Sequence, residues 1–189
     1  MATQTQTDQL RDALLAHQTL ASPFYDEAVD EIASRAQDSG SLGKADIGGL
    51  VAWKRLNGST RWMSEFMATP NDLVRKATLN AREAALNEAV DVPSAARAAR
   101  SALSPIAGFK TGDALASAVI YALAPCRMAV YDRRAQLGLE KLGLLLTSTP
   151  GRYGRYMALV TDLSIESERH GTPLKARDID LALFALGGT

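Results

Sequence analysis

Apolar side chains recur every three or four residues along most of the chain, a spacing that places them on one face of an α-helix. In residues 23–37, Val29, Ile32 and Ala33 share one side while acidic side chains occupy the rest. Alternating runs of β-branched residues bounded by turns, which indicate strands, do not stand out. The pattern therefore predicts an all-α protein with short connections between helices. Helices are expected near residues 8–20, 23–37, 44–56, 60–68, 70–88, 92–104, 111–123, 132–142, 150–169 and 176–186.

Proline and glycine mark the ends of several of these segments. Ser22-Pro23, Thr69-Pro70 and Thr149-Pro150 each place a capping hydroxyl before a proline at the first helical position. Gly187-Gly188 is expected to end the last helix. The segment 111–123 is apolar nearly all round, so we expect it to lie buried in the middle of the fold.

The organisation of the chain is simple, because it contains no long linker and no internal repeat. We expect one domain over residues 10–189, preceded by a disordered tail over residues 1–9. The tail carries no basic residue, so it does not read as a signal peptide, and no segment approaches the roughly 18 apolar residues of a membrane span. The lone Cys126 excludes an intramolecular disulfide and a cysteine-based metal cluster. These features predict a cytoplasmic protein without a cofactor, a metal or a membrane partner.

Charge is unevenly distributed although the formal net charge is zero. Residues 1–40 carry seven acidic and two basic side chains, whereas residues 96–156 carry nine basic and three acidic ones. A clustered charge creates a local field even when the total cancels, although such a cluster is also compatible with a solvated face. The acidic segment either packs against the basic stretch and screens it or recruits a protein partner, and the sequence does not decide between them.

A short glycine-containing turn inside the basic stretch is the strongest candidate for a binding site. Gly108 and Gly112 supply backbone freedom on either side of Phe109, Lys110 and Thr111, just before the apolar helix. The N–H groups of residues 109–113 should then face outward at the start of that helix, where a phosphate gains about 0.3–1 kcal/mol from the helix dipole. Lys110 would add a charge-assisted contact. The alternative is a plain connection between two helices.

The order of these features resembles the helix-hairpin-helix base-excision DNA glycosylases, the superfamily of endonuclease III-like and 8-oxoguanine glycosylases. Ile106, Gly108 and Ala114 match the Leu, first Gly and Ala of the family's hairpin pattern. Val130-Tyr131-Asp132 takes the place of its Val-Asp pair, with one residue inserted. Weaker similarity in flanking segments, which include Trp53-Lys54-Arg55, extends the resemblance over about residues 44–187 to a little-studied bacterial branch. It implies the helix-hairpin-helix fold, double-stranded DNA as partner and Asp132 as the catalytic residue.

Three departures from the family pattern limit what the resemblance implies. Lys110 stands where the hairpin usually has its second glycine. Ser101 occupies the position of the lysine with which bifunctional members form a Schiff base, so β-lyase activity should be missing. The chain also has no C-terminal set of four cysteines, so no iron–sulfur cluster is expected.

Asp132 is the residue on which a catalytic interpretation depends. Breaking an N-glycosidic bond builds positive charge on the deoxyribose, and a nearby carboxylate can stabilise that charge and orient a water molecule. Arg133 and Arg134 are expected to keep the carboxylate ionised and to contact DNA phosphates. The alternative is that Asp132 simply caps the helix over 132–142, and one side chain can do both.

An enzyme that acts on a base inside a duplex must extrude it, which requires wedge or stacking residues. Phe109 could serve in this way, and the alternative for the two tryptophans is a role as core anchors. Tyr153 and Tyr156 are predicted to form a polar-aromatic strip at the surface, which either contacts DNA or covers the edge of the core. The candidates are Trp53, Trp62, Tyr131, Tyr153 and Tyr156.

Two functions follow from the sequence. The first is a monofunctional DNA N-glycosylase that removes a damaged or modified base without β-lyase activity. The second is a module of the same fold that binds DNA or a protein partner and has no chemistry. The sequence does not identify the base, because the shape of the binding pocket sets that choice.

Overall fold

The computed structural model describes residues 3–58 and 61–188, and within these ranges the secondary structure consists of ten α-helices without a strand. The all-α fold class predicted from the periodicity is confirmed. The helices are α1 (Gln4–Leu20), α2 (Glu27–Ser39), α3 (Lys44–Trp53), α4 (Arg61–Ala68), α5 (Asn71–Leu86), α6 (Val92–Leu103), α7 (Ala114–Leu123), α8 (Arg133–Lys141), α9 (Arg152–Arg169) and α10 (Ala176–Gly188).

Helix α7 lies at the centre of the molecule. Residues 115–123 are all buried, and α7 packs against α2, α3, α5 and α6. On the other side, α10 packs against α1, α8 and α9, and α6 packs against α9. Buried apolar side chains from α1 through α10 form one cluster. The prediction of a buried central helix from its all-round apolar sequence is therefore confirmed.

The chain becomes helical earlier than its composition suggested. Thr3 caps α1 in a reciprocal capping box with Gln6, whose side chain also donates to the carbonyl oxygen of Leu142 at 2.7 Å. Thr7 is buried and Leu10 is fully buried. The prediction of a disordered tail is wrong for residues 3–9, because a cap and long-range contacts order a segment that is polar in sequence. Met1 and Ala2 lie outside the described residues.

The three serine- or threonine-proline pairs do not sit at the predicted cap positions. Helix α2 begins at Glu27 after a turn in which the Ser22 hydroxyl accepts from the N–H of Phe24 at 3.3 Å. Helices α5 and α9 begin one and two residues after their prolines, at Asn71 and Arg152. The pairs mark the approach to each helix correctly, but the hydrogen bonds of the turn decide where the helix starts.

The acidic side chains of the N-terminal segment form mostly local ion pairs, and one of them reaches α10. Asp26 pairs with Arg177 of α10 at 2.7 Å, and Glu31 pairs with Arg35 on its own helix at 2.8 Å. Asp8 and Asp12 are both paired with Arg11. The contact of Asp26 connects this segment to α10. Among the described residues, no helix is both long and apolar enough to cross a membrane.

Candidate functional site

Residues 104–113 form the predicted hairpin between α6 and α7. The backbone takes a left-handed conformation at Gly108, with φ of 87°, and at Gly112, with φ of 76°. The N–H of Phe109 donates to the carbonyl oxygen of Ile106 at 3.1 Å and closes the first turn. The prediction that both glycines supply positive φ is confirmed, since other residues adopt this conformation at a cost of about 1–2 kcal/mol.

Gly108 is required for a second reason. A Cβ atom at this position would lie 2.3 Å from Cε3 of Trp62, a distance at which the ring must move. Trp62 of α4 therefore packs directly on the hairpin backbone. Gly112, by contrast, has no other atom within 4 Å of the position a Cβ would take, so only its backbone conformation favours glycine there.

A groove of about 480 Å³ lies between the hairpin and the loop that leads into α9. Its basic side chains come from three parts of the chain, and Asp113 is the acidic residue among them. The Asp113 carboxylate accepts from Nε of Arg100 and from Nε of Arg152, each at 2.9 Å. This bridge fixes two guanidinium groups along the groove. Its lining residues are Arg97, Arg100, Ser101, Lys110, Thr111, Gly112, Asp113, Ser148, Thr149, Pro150, Gly151, Arg152, Tyr153 and Gly154.

Two helices begin at this groove. Asp113 precedes α7 and Gly151 precedes α9, and neither helix start has a side-chain cap. The first N–H groups of a helix have no partner within the helix and carry a partial positive charge. The groove therefore combines two helix N-termini with basic side chains, a composition that suits an anion such as phosphate.

The structure separates the predicted phosphate contacts into two groups. Lys110, Thr111 and Gly112 are exposed and line the groove. Phe109 is fully buried and its N–H is already bonded to Ile106, so its predicted roles in phosphate binding and base stacking are wrong. Its ring instead anchors the hairpin in the core. The turn therefore offers Lys110, Thr111 and Gly112 to a ligand, fewer residues than the sequence predicted.

Asp132 caps α8, as the capping alternative predicted. Its Oδ1 accepts from the N–H of Ala135 at 2.8 Å, and its backbone is extended, with φ of −150°. Its Oδ2 accepts from Nζ of Lys54 at 3.0 Å. The side chain of Lys54 is 10% exposed and that of Asp132 is 19% exposed, so this ion pair is largely shielded from water.

Arg133 and Arg134 do not take the place predicted for them. The cation paired with the Asp132 carboxylate is Lys54, which arrives from the end of α3, 78 residues earlier in the chain. The Arg134 guanidinium lies over the ring of Phe184 at 4.9 Å, and Arg133 is exposed. The ion pair described for Asp132 is with Lys54 and not with either arginine, and Arg134 packs on α10 instead.

The extended segment before Asp132 is held by side chains from distant helices. The Tyr153 hydroxyl donates to the carbonyl oxygen of Ala129 at 2.9 Å, and the Tyr156 hydroxyl donates to that of Val130 at 3.1 Å. Burial raises the pKa of both phenols well above the ordinary value, so both remain donors. These bonds satisfy carbonyl groups that a strand or helix would otherwise pair.

Two further side chains complete this support. Ser117 of α7 accepts from the N–H of Tyr131 at 2.9 Å and donates to its carbonyl oxygen at 3.1 Å. Asp180 of α10 accepts from the N–H of Val130 at 2.8 Å. Side chains from three helices, α7, α9 and α10, therefore fix the backbone that carries Asp132. The packing of these helices in the core sets the position of the carboxylate.

Tyr153 and Tyr156 are therefore not a surface strip. They are 1% and 0% exposed, and the neighbouring Arg155 bonds the loop before α9. Arg155 donates to the carbonyl oxygens of Thr149, at 2.6 Å, and of Pro150, at 2.9 Å. The predicted stacking role of the two tyrosines is wrong, because their hydroxyl groups find buried backbone partners and allow the rings to enter the core.

The remaining aromatic candidates differ in exposure. Trp53 and Tyr131 are 9% and 5% exposed and belong to the core, as the alternative for the tryptophan predicted, so neither presents a ring to a base in this structure. Trp62 is partly exposed and lines a depression of about 230 Å³ together with Leu56 and the hairpin. Of the five candidates, Trp62 is the one placed to touch a ligand beside the hairpin.

Arg152 connects the groove with the Asp132 segment. Its Nε donates to Asp113 in the groove, while its guanidinium lies 4.7 Å from the centre of the Tyr131 ring. Tyr131 directly precedes Asp132 in the chain. A single side chain thus contacts both the basic groove and the residue next to the candidate carboxylate.

A buried charge network lies behind Asp132. Arg177 donates to Asp180 and to Asp26, each at 2.7 Å. Burial raises the pKa of Asp180 to about 7, against the opposing effect of Arg177. Burial lowers the pKa of Arg177, but the charges of Asp180 and Asp26 together raise it further, so its guanidinium stays charged.

Sequence reasoning missed the residues that position Asp132. Lys54 stands in the run Trp53-Lys54-Arg55, but nothing in its spacing indicates an ion pair with Asp132. Ser117 lies within an apolar helix, where a lone polar residue is a usable signal that a buried partner exists. The identity of that partner has no local signature.

Comparisons with protein-family models, with curated proteins and with solved structures found no match to this chain.

Proposed function

We propose that this protein binds double-stranded DNA through the groove between the hairpin and the start of α9 and acts as a monofunctional DNA N-glycosylase through Asp132, which lines a separate small cavity. The observation that carries the proposal is the composition of the groove. Arg97, Arg100, Lys110 and Arg152 line it together with two helix starts that lack side-chain caps. Phosphate contacts of this kind supply most of the affinity of non-specific DNA binding.

Asp132 would carry the chemistry. As the C1′–N bond breaks, its electron pair leaves with the base and the carboxylate stabilises the cationic sugar. A water oxygen then bonds to C1′, and the proton it loses passes to Asp132 and from there to solvent. The departing base takes up a proton from solvent, so charge and atoms balance. The extended backbone held by Tyr153, Tyr156 and Ser117 would keep the carboxylate fixed during these steps.

The proposed reaction ends at hydrolysis. Ser101 is exposed and lines the groove, where its hydroxyl cannot form the imine that strand cleavage by β-elimination requires. The nearest amine described at Asp132, that of Lys54, is held in an ion pair with the carboxylate. We therefore expect an abasic site with an intact strand as the product.

A second candidate function is a module of the same fold that binds DNA without chemistry. The ion pair of Lys54 with Asp132 favours it, since the carboxylate is already neutralised. The cavity beside Asp132 measures about 30 Å³, which is too small for a base unless neighbouring side chains move. This candidate predicts the same groove contacts and no released base.

DNA binding is tested by fluorescence anisotropy with a labelled duplex that contains an abasic-site analogue and with the intact duplex, across a salt series. We expect Lys110→Glu to weaken binding. It should also make the slope of log K against log salt less steep by about the amount that two phosphate contacts contribute, because it removes one cation and adds an anion. The matched control is Lys76→Glu, the same charge change at an exposed residue of α5 that lies outside the groove. Equal effects of the two variants, or no binding at low salt, would remove the groove as the DNA site.

Catalysis is tested with duplexes that carry a panel of modified bases, with base release as the readout. Asp132→Asn should abolish release while retaining the helix cap, because asparagine caps as well as aspartate does. The control is Asp91→Asn, the same change at the aspartate that caps α6 through the N–H of Ser94. Release that persists in Asp132→Asn rejects Asp132 as the catalytic residue, and groove binding without release of any base supports the second candidate.

A further inference from the structure

A small cavity beside Asp132 contains hydrogen-bonding groups that the protein itself does not satisfy. Trp53, Lys54, Asp132, Arg177 and Asp180 line it, and its volume is about 30 Å³. Nε1 of Trp53 and Nε of Arg177 are both buried and have no hydrogen-bond partner within the part of the chain that the structure describes. Trp53 is 9% exposed, so its indole N–H is cut off from bulk solvent.

A buried donor without a partner destabilises the folded protein, so two such donors at one cavity call for a ligand. The cavity offers two donors, on Trp53 and Arg177, and two carboxylates, on Asp132 and Asp180. A cation cannot accept from the donors. The positive charges of Lys54 and Arg177 are already paired with carboxylates, so they leave no net attraction for an anion. A water molecule accepts two hydrogen bonds and donates two, which matches this set.

The volume leads to the same conclusion. A space of about 30 Å³ holds about two water molecules, whereas it cannot hold a ring. The carboxylate of Asp132 keeps acceptor capacity for such a ligand, because a carboxylate has about four acceptor positions and Ala135 and Lys54 each use one.

We infer that this cavity is an ordered-water site in which the Trp53 indole N–H and the Arg177 Nε–H hold water against Asp132. Trp53 and Arg177 are then positioning residues that act through this water. The presence of the water is independent of any activity. Its use as the water that attacks the sugar rests on the proposed glycosylase function.

The site is tested first on the free protein without DNA. The chain has two tryptophans, so the 15N-labelled protein gives two indole N–H signals, and Trp62→Phe assigns them. We expect the Trp53 proton to show a cross-peak to the water resonance in both NOESY and ROESY spectra, with the ROESY sign opposite to the diagonal. That sign distinguishes a long-lived bound water from hydrogen exchange. No such cross-peak, or one with the sign of exchange alone, would overturn the water site.

The catalytic use of the water is tested with Trp53→Phe, which keeps an aromatic ring and removes the indole N–H. If the protein releases a base, single-turnover release should slow roughly ten- to hundredfold while the DNA Kd stays unchanged, because the water loses a positioning contact. An unchanged rate would reject this use. Absence of release in the wild-type protein would instead reject the proposed function and leave the NMR result standing.

Discussion

The phenol oxygen of Tyr156 lies 3.1 Å from the carbonyl oxygen of Val130 and donates a hydrogen bond to it in the core. Val130 lies two residues before Asp132, on a segment whose backbone forms no helix. A residue that the sequence presented as part of an exposed aromatic strip is thus a support for the candidate carboxylate. The same applies to Tyr153 at Ala129.

Tyr156→Phe removes one buried hydroxyl and leaves the Val130 carbonyl without its donor. We expect the free energy of unfolding to fall by about 1–3 kcal/mol, since an unsatisfied buried acceptor costs that much. Urea unfolding measures the change, with Tyr25→Phe at a half-buried ring as control. The DNA Kd of the folded variant should stay the same, because the ring is fully buried. A selective loss of DNA binding without loss of stability would contradict the buried role.

Gly108→Ala and Gly112→Ala separate the two reasons for glycine in the hairpin, which are the positive φ and the close approach of the Trp62 ring. Both have positive φ and should lose about 1–2 kcal/mol of stability from that alone. Gly108→Ala should lose more, because its new methyl group would collide with the Trp62 ring. The Trp62 fluorescence, isolated in a Trp53→Phe background, should also shift in Gly108→Ala and remain unchanged in Gly112→Ala. Equal destabilisation by the two changes would show that Trp62 does not pack on Gly108.

Lys54 and Asp132 should be energetically coupled, since their ion pair is 3.0 Å long and mostly shielded from water. A double-mutant cycle with Lys54→Met and Asp132→Asn isolates this coupling, which we expect to be about 1–3 kcal/mol in unfolding free energy. Each single change leaves a partner without its opposite charge, so the double variant should be more stable than the sum of the two losses predicts. Additive losses would mean that the pair is not formed in solution.

The raised pKa of Asp180 predicts a distinct pH dependence of stability. Between the ordinary value of 3.8 and about 7, the folded state keeps a proton that the unfolded state has lost. The contribution of Asp180 to stability therefore falls as the pH rises through this range and is constant above it. Asp180→Asn lacks this ionisation. Its free energy of unfolding should therefore rise relative to that of the wild type as the pH increases from 4 to 7.

Urea unfolding of both proteins at matched pH measures this difference and cancels the titration of other groups. A difference that stays constant from pH 4 to 8 would show that Asp180 does not titrate in this range. The same series with Asp178→Asn, at a less buried aspartate on the same helix, controls for the loss of a carboxylate from α10.

Local signals in the sequence were enough to predict the helices of the fold and the turn before α7. The apolar periodicity placed each helix within a few residues, because one face of every helix must be apolar to reach the core. Gly108 and Gly112 identified the hairpin, since a left-handed backbone leaves few other choices of residue. The start of α1 was missed because its order comes from the Thr3 cap and from the contact of Gln6 with Leu142.

The sequence by itself therefore determined the helices, the hairpin and the concentration of basic residues around it, all of which depend on neighbours a few positions apart. Only the tertiary structure decided that Lys54, and not Arg133 or Arg134, faces Asp132, and that Tyr153 and Tyr156 point inward. The physical reason is that periodicity shows which face of a helix is buried but not which distant backbone or charge meets it. Pairing across 78 residues depends on how the helices pack.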